Sequence, residues 1–217
     1  METRIQPNQV GEIGTLHASD IFGEIYLKNG WLGSEYVSGP RSDVGRCESV
    51  ISALPKLFAD LRVTSMLDIP CGDLNWMRKV ELGAVKYIGA DIVPELIRDD
   101  LKRYGWLGMK FKMLDIMQDQ LPKCDLILCR DCLVHFSFAD ISKAVSNIIN
   151  SGAKYLLCTT FTNTDRENQD MATGYWRPLN MENAPFRFPA PLQIIKEAAV
   201  GSYSDKGMGL WKVGELK

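Results

Sequence analysis

The chain has 217 residues, enough for one domain with a sizeable core. Hydrophobic residues make up 46% and charged residues 24%, with a formal charge of −2; such a balance argues against a protein whose main task is gripping nucleic acid. No apolar run reaches the length of a membrane span, and METRIQPNQVGEIG lacks a signal peptide's apolar centre, so a cytoplasmic place away from the membrane is expected.

Residues 1–16 show no periodicity. Asp20–Lys28 reads as a short helix, and NGWLGSEYVSGPRSD (Asn29–Asp43) as a loop, because it holds three glycines, a proline and three serines. That loop carries groups suited to binding: Trp31, Glu35, Tyr36, Ser38 and Arg41. Residues 1–43 are therefore expected to form an arm and cap loop ahead of a single domain over 44–217.

Apolar residues recur at three-and-four spacing from Val44 to Leu61, which predicts an amphipathic helix; Pro55 predicts a kink or a restart within it. Then the rhythm changes. Short apolar runs at Ser65–Ile69, Lys86–Asp91, Met109–Leu114, Asp125–Arg130 and Ala153–Thr160 read as strands. Helical stretches lie between several of them: NWMRKV, VPELIRDDLKRYG and FADISKAVSNIINSG. Apolar strands alternating with helices predict an α/β, doubly wound, mostly parallel sheet covered on both faces. Near the end, PLQIIKEAAV and GMGLWKVGEL flank the turn-like GSYSDK, so an antiparallel hairpin is expected to extend the sheet.

The stretch SMLDIPCGDLNWM (Ser65–Met77) runs from the first strand into a tight turn, where open parallel sheets bind ligands. Asp68 closes the strand, Pro70 restricts the backbone, and Gly72 permits close approach of a ligand. Asp73 and Asn75 are expected to cap a following helix. A pyrophosphate wants several glycines and free amides with no acids nearby. This loop has one glycine, two flanking acids and a proline, so it suits a cationic ligand better. S-adenosylmethionine, with its ammonium and sulfonium groups, fits. Asp91 ends the second strand 23 residues after Asp68, placed to hold ribose hydroxyls. Asp115 follows the third strand, placed to accept the adenine amino group, with Ile92 and Ile116 beside these acids.

LDIPCGD..WM, YIGADIVPELI, DLILCRDCLVHFSF, KYLLCTTF and DKGMGLW resemble class I (Rossmann-like) S-adenosylmethionine-dependent methyltransferases, in a subgroup whose cofactor loop reads D-x-P-C-G-D. The resemblance covers roughly Trp31 to Trp211. Against the commoner D-x-G-x-G-x-G pattern the sequence departs at Pro70 and Leu74, as the subgroup does. The resemblance implies seven strands in the order 3-2-1-4-5-7-6 with the last antiparallel. It also implies cofactor roles for Asp68, Gly72, Asp91 and Asp115, and S-adenosylhomocysteine as product.

Chemistry is expected at CRDCLVHF, which follows the fourth strand and faces the methyl group in this fold. His135 is either a general base supported by Asp131, four residues before it, or a packed structural histidine. Arg130 either binds the methionine carboxylate or caps a strand. Cys129, Cys132 and His135 make a C-x-x-C-x-x-H fragment, but a structural zinc site needs four ligands and no second pair follows. The six cysteines mostly sit in apolar runs and read as buried, reduced thiols, with no metal expected.

After the fifth strand comes a loop of more than thirty residues, TNTDRENQDMATGYWRPLNMENAPFRFPAPL. Loops of that length are usually functional. Tyr175, Trp176, Arg177, Phe186 and Arg187 suit an acceptor pocket, although aromatic residues there also pack loops down. Together with Trp31, Tyr36 and Lys206, which is expected to close the site from the hairpin, they are the candidate substrate residues.

Amino-directed DNA methyltransferases carry a Pro-Pro-aromatic stretch after strand four, and cytosine C5 enzymes a Pro-Cys there. This chain has neither at that place. Aromatic faces mixed with planar polar groups resemble a carbohydrate site. O-methylation of a sugar hydroxyl on a glycan is therefore expected, with association or fusion with glycosyltransferases as its companion. A non-sugar small acceptor is the alternative within the same chemistry. A silent methyltransferase-like binding protein and a nicotinamide enzyme are alternatives of other classes, disfavoured by the full set of acids and by the single glycine respectively.

Overall fold

The computed structural model describes residues 17–28, 30, 44–198 and 203–217. Seven strands form one sheet: β1 (Ser65–Asp68), β2 (Lys86–Asp91), β3 (Lys110–Met113), β4 (Leu126–Cys129), β5 (Tyr155–Phe161), β6 (Gln193–Lys196) and β7 (Lys206–Lys212). Their spatial order is β3-β2-β1-β4-β5-β7-β6. The first five run parallel, and β7 lies antiparallel between β5 and β6. This is the expected order and sense.

The central strands β1, β4, β5 and β7 bury both faces, on which successive side chains alternate, while the edge strands β3 and β6 are largely exposed. Leu67, Ile127, Leu156 and Cys158 point to one side, with α4 (Phe138–Asn150) supplying Ile141, Ala144, Val145 and Ile148. Met66, Leu126, Leu128 and Leu157 point to the other, against Cys47, Val50, Leu54, Leu57 and Phe58 of α2 (Val44–Leu61). Two further helices, α1 (Ala18–Leu27) and α3 (Pro94–Tyr104), complete the layers. Phe22 of α1 meets Phe136 at 5.7 Å between ring centroids, so this arm is docked on the turn after β4.

Two expectations are corrected. α2 runs unbroken through Pro55 instead of restarting there. Proline in a helix interior costs about 3 kcal/mol, while burying Leu54, Leu57 and Phe58 against the sheet contributes about 2 kcal/mol each. The helix expected at NWMRKV shrinks to a 3-10 turn, Met77–Lys79. Leu74 has a left-handed φ of +55° just before it, and too few residues remain before β2 to offset helix nucleation.

Candidate active site

The carboxyl ends of β1, β2 and β3 bring Asp68, Asp91 and Asp115 to neighbouring strand ends. The loop after β1 is stitched to β2. Cys71 N–H donates to the Ala90 carbonyl at 2.8 Å, and Gly72 N–H to Asp91 Oδ2 at 3.1 Å. Gly72 has φ +58°, the region where glycine is at home, and Ile69–Pro70 is cis. Asp91 Oδ1 accepts the Val93 N–H at 3.0 Å, so this acid braces the loop while its carboxylate remains at the crevice. Asp73 Oδ1 accepts the Asn75 N–H at 3.2 Å, a turn closure in place of the expected helix cap.

Burial governs the charge of these acids. It raises Asp68 to about 7, partly offset by the Tyr87 hydroxyl that donates to Oδ2 at 2.7 Å. It raises Asp91 to about 6, against the N–H donors of Val93, Gly72 and Ile92. Asp115 is also raised by burial, and its oxygens accept from Met117 N–H at 2.8 Å and Gln118 Nε2 at 3.0 Å. Ile116 is buried and Ile92 half-buried beside them. A loop crowded by acids, with one left-handed glycine and no lysine or arginine of its own, is matched to a cationic, hydroxyl-bearing ligand and mismatched to a diphosphate.

At the end of β4 lies a buried cluster of four charges. Arg130 donates to Glu197 from Nε at 3.1 Å and from Nη2 at 2.7 Å, and its Nη1 lies 3.3 Å from Asp131. Lys206 Nζ reaches Asp131 at 2.7 Å and Glu197 at 3.1 Å. The guanidinium also stacks 5.4 Å over Trp76 of the cofactor loop. Arg130, directly after β4, thus turns its fork to Glu197, a partner that a methionine carboxylate would have to share or displace. Lys206, at the start of β7, reaches the end of β4 through Asp131. Asp131 itself holds a left-handed φ of +52°, fixed by its N–H donating to Thr159 Oγ1 at 2.8 Å.

His135 sits on the 3-10 turn Leu133–His135. Its Nδ1 is 2.9 Å from the Tyr175 carbonyl. A carbonyl only accepts, so Nδ1 carries the hydrogen and the lone pair of the neutral ring is on Nε2. The imidazole is supported by the Tyr175 backbone.

Arg177 is buried, with Nε donating to the Gln169 carbonyl at 3.0 Å, Nη1 to Leu133 at 3.2 Å and Nη2 to Phe136 at 2.6 Å. Burial lowers it to about 10. Its work is to pin the long loop onto the His135 turn, rather than to offer a free fork to an acceptor. The asparagines behave alike: Asn168 donates to the Asn180 and Ala184 carbonyls, and Asn183 to those of Thr164 and Arg166. Phe186 packs edge-on against Phe138. Tyr175 and Trp176 are half-buried, and Trp176 forms an edge-to-face trio with Phe161 and Tyr203, at 6.1 Å and 5.0 Å. Trp31 and Tyr36 lie outside the described residues.

Sequence reasoning missed Glu197, Thr159, Tyr87, Tyr203 and Asp100. Only Glu197 carried a signal, an acid closing the apolar run of the hairpin's first strand. Among the described residues no group of three or more His, Cys, Asp or Glu side chains is set to hold a metal ion, and no helix is long and apolar enough to cross a membrane. All six cysteines are buried and form no disulfide.

This sheet order and this crevice define the Rossmann-like fold of S-adenosylmethionine-dependent methyltransferases. No family model matches the sequence, and no curated protein matches it. Solved structures do. Human N-acetylserotonin methyltransferase, in complex with S-adenosylmethionine, aligns with a TM-score of 0.62 at 17% identity, over 91% of this chain and 60% of that one. The magnesium protoporphyrin IX methyltransferase of Synechocystis PCC 6803, with the same cofactor bound, aligns at 0.61 with 13% identity, over 91% of this chain and 97% of the other. The N-methyltransferase NodS of Bradyrhizobium japonicum WM9 gives 0.56 and 14%, over 79% and 98%. The chain spans about 60% of the length of the human enzyme. At these identities the likeness is one of fold.

Proposed function

We propose that this chain is an S-adenosylmethionine-dependent methyltransferase acting on a hydroxyl of a small acceptor, with a sugar hydroxyl as the first class to test. The observation that carries the reading is the Gly72 N–H bound to Asp91 Oδ2, which locks a left-handed glycine to the acid at the end of β2. In this reading Asp91 takes the ribose hydroxyls, Asp115 the adenine amino group, and Ile92 and Ile116 flank the base. Pro70 and Gly72 shape the loop, and Asp68 and Asp73 favour the cationic end. The subgroup with a D-x-P-C-G-D loop is proposed on the sequence pattern alone.

Bound S-adenosylmethionine would supply a methyl group on a sulfonium, released as S-adenosylhomocysteine after in-line attack. His135 Nε2 would take the hydroxyl proton as the acceptor oxygen forms its new bond. Asp131 is the poorer base, because two cations stabilise its ionised form; it is better placed to accept a hydrogen bond from the acceptor. Trp176 and Tyr203 would offer apolar faces to a ring.

A non-sugar acceptor is the second reading. It is favoured by the commitment of Arg177, Asn168 and Asn183 to backbone carbonyls, which leaves fewer planar groups to read sugar hydroxyls. Glycosyltransferase partners and a cytoplasmic location belong with the first reading; buried thiols outside any disulfide are in keeping with a reducing compartment.

Calorimetric titration of the chain with S-adenosylmethionine tests the cofactor. Affinity in the micromolar range, about −8 kcal/mol, is expected, with at least a tenfold loss in Asp91→Ala. No binding to the wild type would overturn the reading. Release of S-adenosylhomocysteine over a panel of sugars and of aromatic hydroxyls and amines then separates the two acceptor classes.

A further inference from the structure

Six large hydrophobic side chains are exposed among the described residues, and four of them fall between 101 and 113. Leu101, Leu107 and Met113 are each more than half exposed, and Trp106 is 79% exposed. The same stretch runs from the end of α3 into the edge strand β3 and carries Lys102, Arg103, Lys110 and Lys112, all exposed. It holds no acid, in a chain whose formal charge is −2. Among the described residues none of the four cations enters an ion pair. Arg103 shares the surroundings of Tyr26 with Asp99 and Glu95, so the three lysines carry most of the positive field. The turn between α3 and β3 is open: a Cβ placed on Gly108, whose φ is +81°, would meet no atom within 4 Å.

We propose that this edge, Leu101–Met113, docks peripherally on an anionic phospholipid surface. Apolar side chains exposed singly need no explanation. A tryptophan and three further apolar side chains set among four cations do. A bilayer offers both partners at once, acidic head groups for the lysines and the apolar boundary beneath them for the ring and its neighbours. Trp106 is prepared for that boundary. Its indole N–H donates to the Arg103 carbonyl at 2.7 Å, so the ring can leave water without stranding its one donor. Leu101 reaches the same turn, since a Cβ on Gly105 would meet its Cδ1 at 3.1 Å.

Other occupants fit less well. A nucleic acid would use the cations but give Leu101, Leu107 and Met113 little to bury against. A second copy would bring lysine against lysine along β3, the means by which edge strands avoid pairing. That means accounts for Lys110 and Lys112 by themselves; it does not account for Trp106 and Leu107, which precede the strand. The proposal departs from the place away from the membrane that composition suggests, and it concerns surface contact only. β3 stands three strands from β4, about 14 Å at ordinary strand spacing, so this edge can meet a surface without covering the proposed reaction centre. None of this depends on the methyltransferase reading.

The test is co-sedimentation of the full chain with phosphatidylcholine vesicles, with and without about one-third phosphatidylserine. The wild type should bind the acidic vesicles at physiological salt and the neutral ones at least about tenfold more weakly. Binding should be lost in about 1 M salt, where the Debye length is about 3 Å. Lys110→Glu combined with Lys112→Glu should weaken it by about tenfold or more, and Trp106→Ala by about tenfold. All three positions are exposed, so the variants should keep the wild-type circular dichroism and melting temperature. No binding by the wild type, or equal binding to neutral and acidic vesicles, would overturn the proposal. So would a wild-type dimer in light scattering that the double variant dissociates, or retention of single-stranded RNA by a chain that ignores the vesicles. Should a variant fail to fold, the wild-type comparison of acidic, neutral and salt-treated vesicles decides alone.

Discussion

Arg130 and Glu197 meet at two points, 3.1 Å and 2.7 Å, with both side chains almost completely buried. The pair ties the end of β4, where the chemistry is proposed, to the end of β6 in the C-terminal hairpin. Lys206 and Asp131 complete the cluster, so the charges balance within it.

Removing one member leaves an uncompensated charge in a dry place. Glu197→Gln should destabilise the chain by about 3–5 kcal/mol, the usual cost of breaking a buried pair from one side. Chemical denaturation measures this. Arg130→Lys should recover little, because an ammonium reproduces neither the two-point geometry nor the stacking on Trp76. A loss under 1 kcal/mol for Glu197→Gln would mean that water reaches the cluster and shields it.

Leu74 stands where the commoner loop pattern has glycine, and it keeps the left-handed backbone, φ +55°, while being fully buried. Leu74→Gly should relieve about 1 kcal/mol of backbone strain. It also deletes a core side chain, which costs about 3–5 kcal/mol. The net expectation is a destabilised protein, read as a lower denaturation midpoint with an unchanged slope. A stabilised variant would show that backbone strain outweighs packing here.

Asp68, Asp91 and Asp100 are raised by burial to about 7, 6 and 8. The folded chain therefore holds these protons more tightly than the unfolded chain does. Their stabilising contribution is complete below the unfolded carboxyl value near 4 and is lost as pH rises through 6 to 8. The melting temperature of the ligand-free chain should fall between pH 5.5 and 8.5, and Asp100→Asn should flatten that fall. Asp125 has the opposite sign: Lys154 and Thr64 hold it well below the ordinary range, so its contribution is lost only in strong acid. A melting temperature that rises from pH 5.5 to 8.5 would contradict the burial argument.

His135→Gln should lower turnover by about a hundredfold at neutral pH if Nε2 takes the acceptor's proton, with cofactor affinity within twofold of wild type. Steady-state kinetics with the first acceptor found, set beside calorimetry, makes the comparison. Retained turnover would mean that the imidazole only anchors Tyr175.

Much of the fold was legible because its signals are local. Five apolar runs between polar helical stretches identify β1 to β5 within a residue or two; β1, β4 and β5 bury both faces, whereas the edge strand β3 is mostly exposed. The acids of the proposed cofactor crevice were placed for a related reason: Asp68, Asp91 and Asp115 sit at or just beyond strand ends that the runs themselves mark. Where local rules competed with packing they misled. Pro55 was read as a kink or a restart, and there is no restart because burial on the sheet outweighs one lost hydrogen bond; NWMRKV was read as a helix, but Leu74 turns the backbone left-handed first.

The partners of the charged side chains were decided by the tertiary structure. Arg130 finds Glu197 across 67 residues of sequence, and Lys206 finds Asp131 across 75. These pairs exist because β7 inserts between β5 and β6 and carries the hairpin's ends to the end of β4. Arg177, which looked like a free fork for an acceptor, is turned inward by the backbone carbonyls of the His135 turn. The sequence by itself marked the strands and the acids at their ends, because periodicity and strand ends are properties of neighbours along the chain; the strand order was implied by the family resemblance. Which charge neutralises which depends on distances of a few ångströms between segments far apart in sequence, and only the folded sheet sets those.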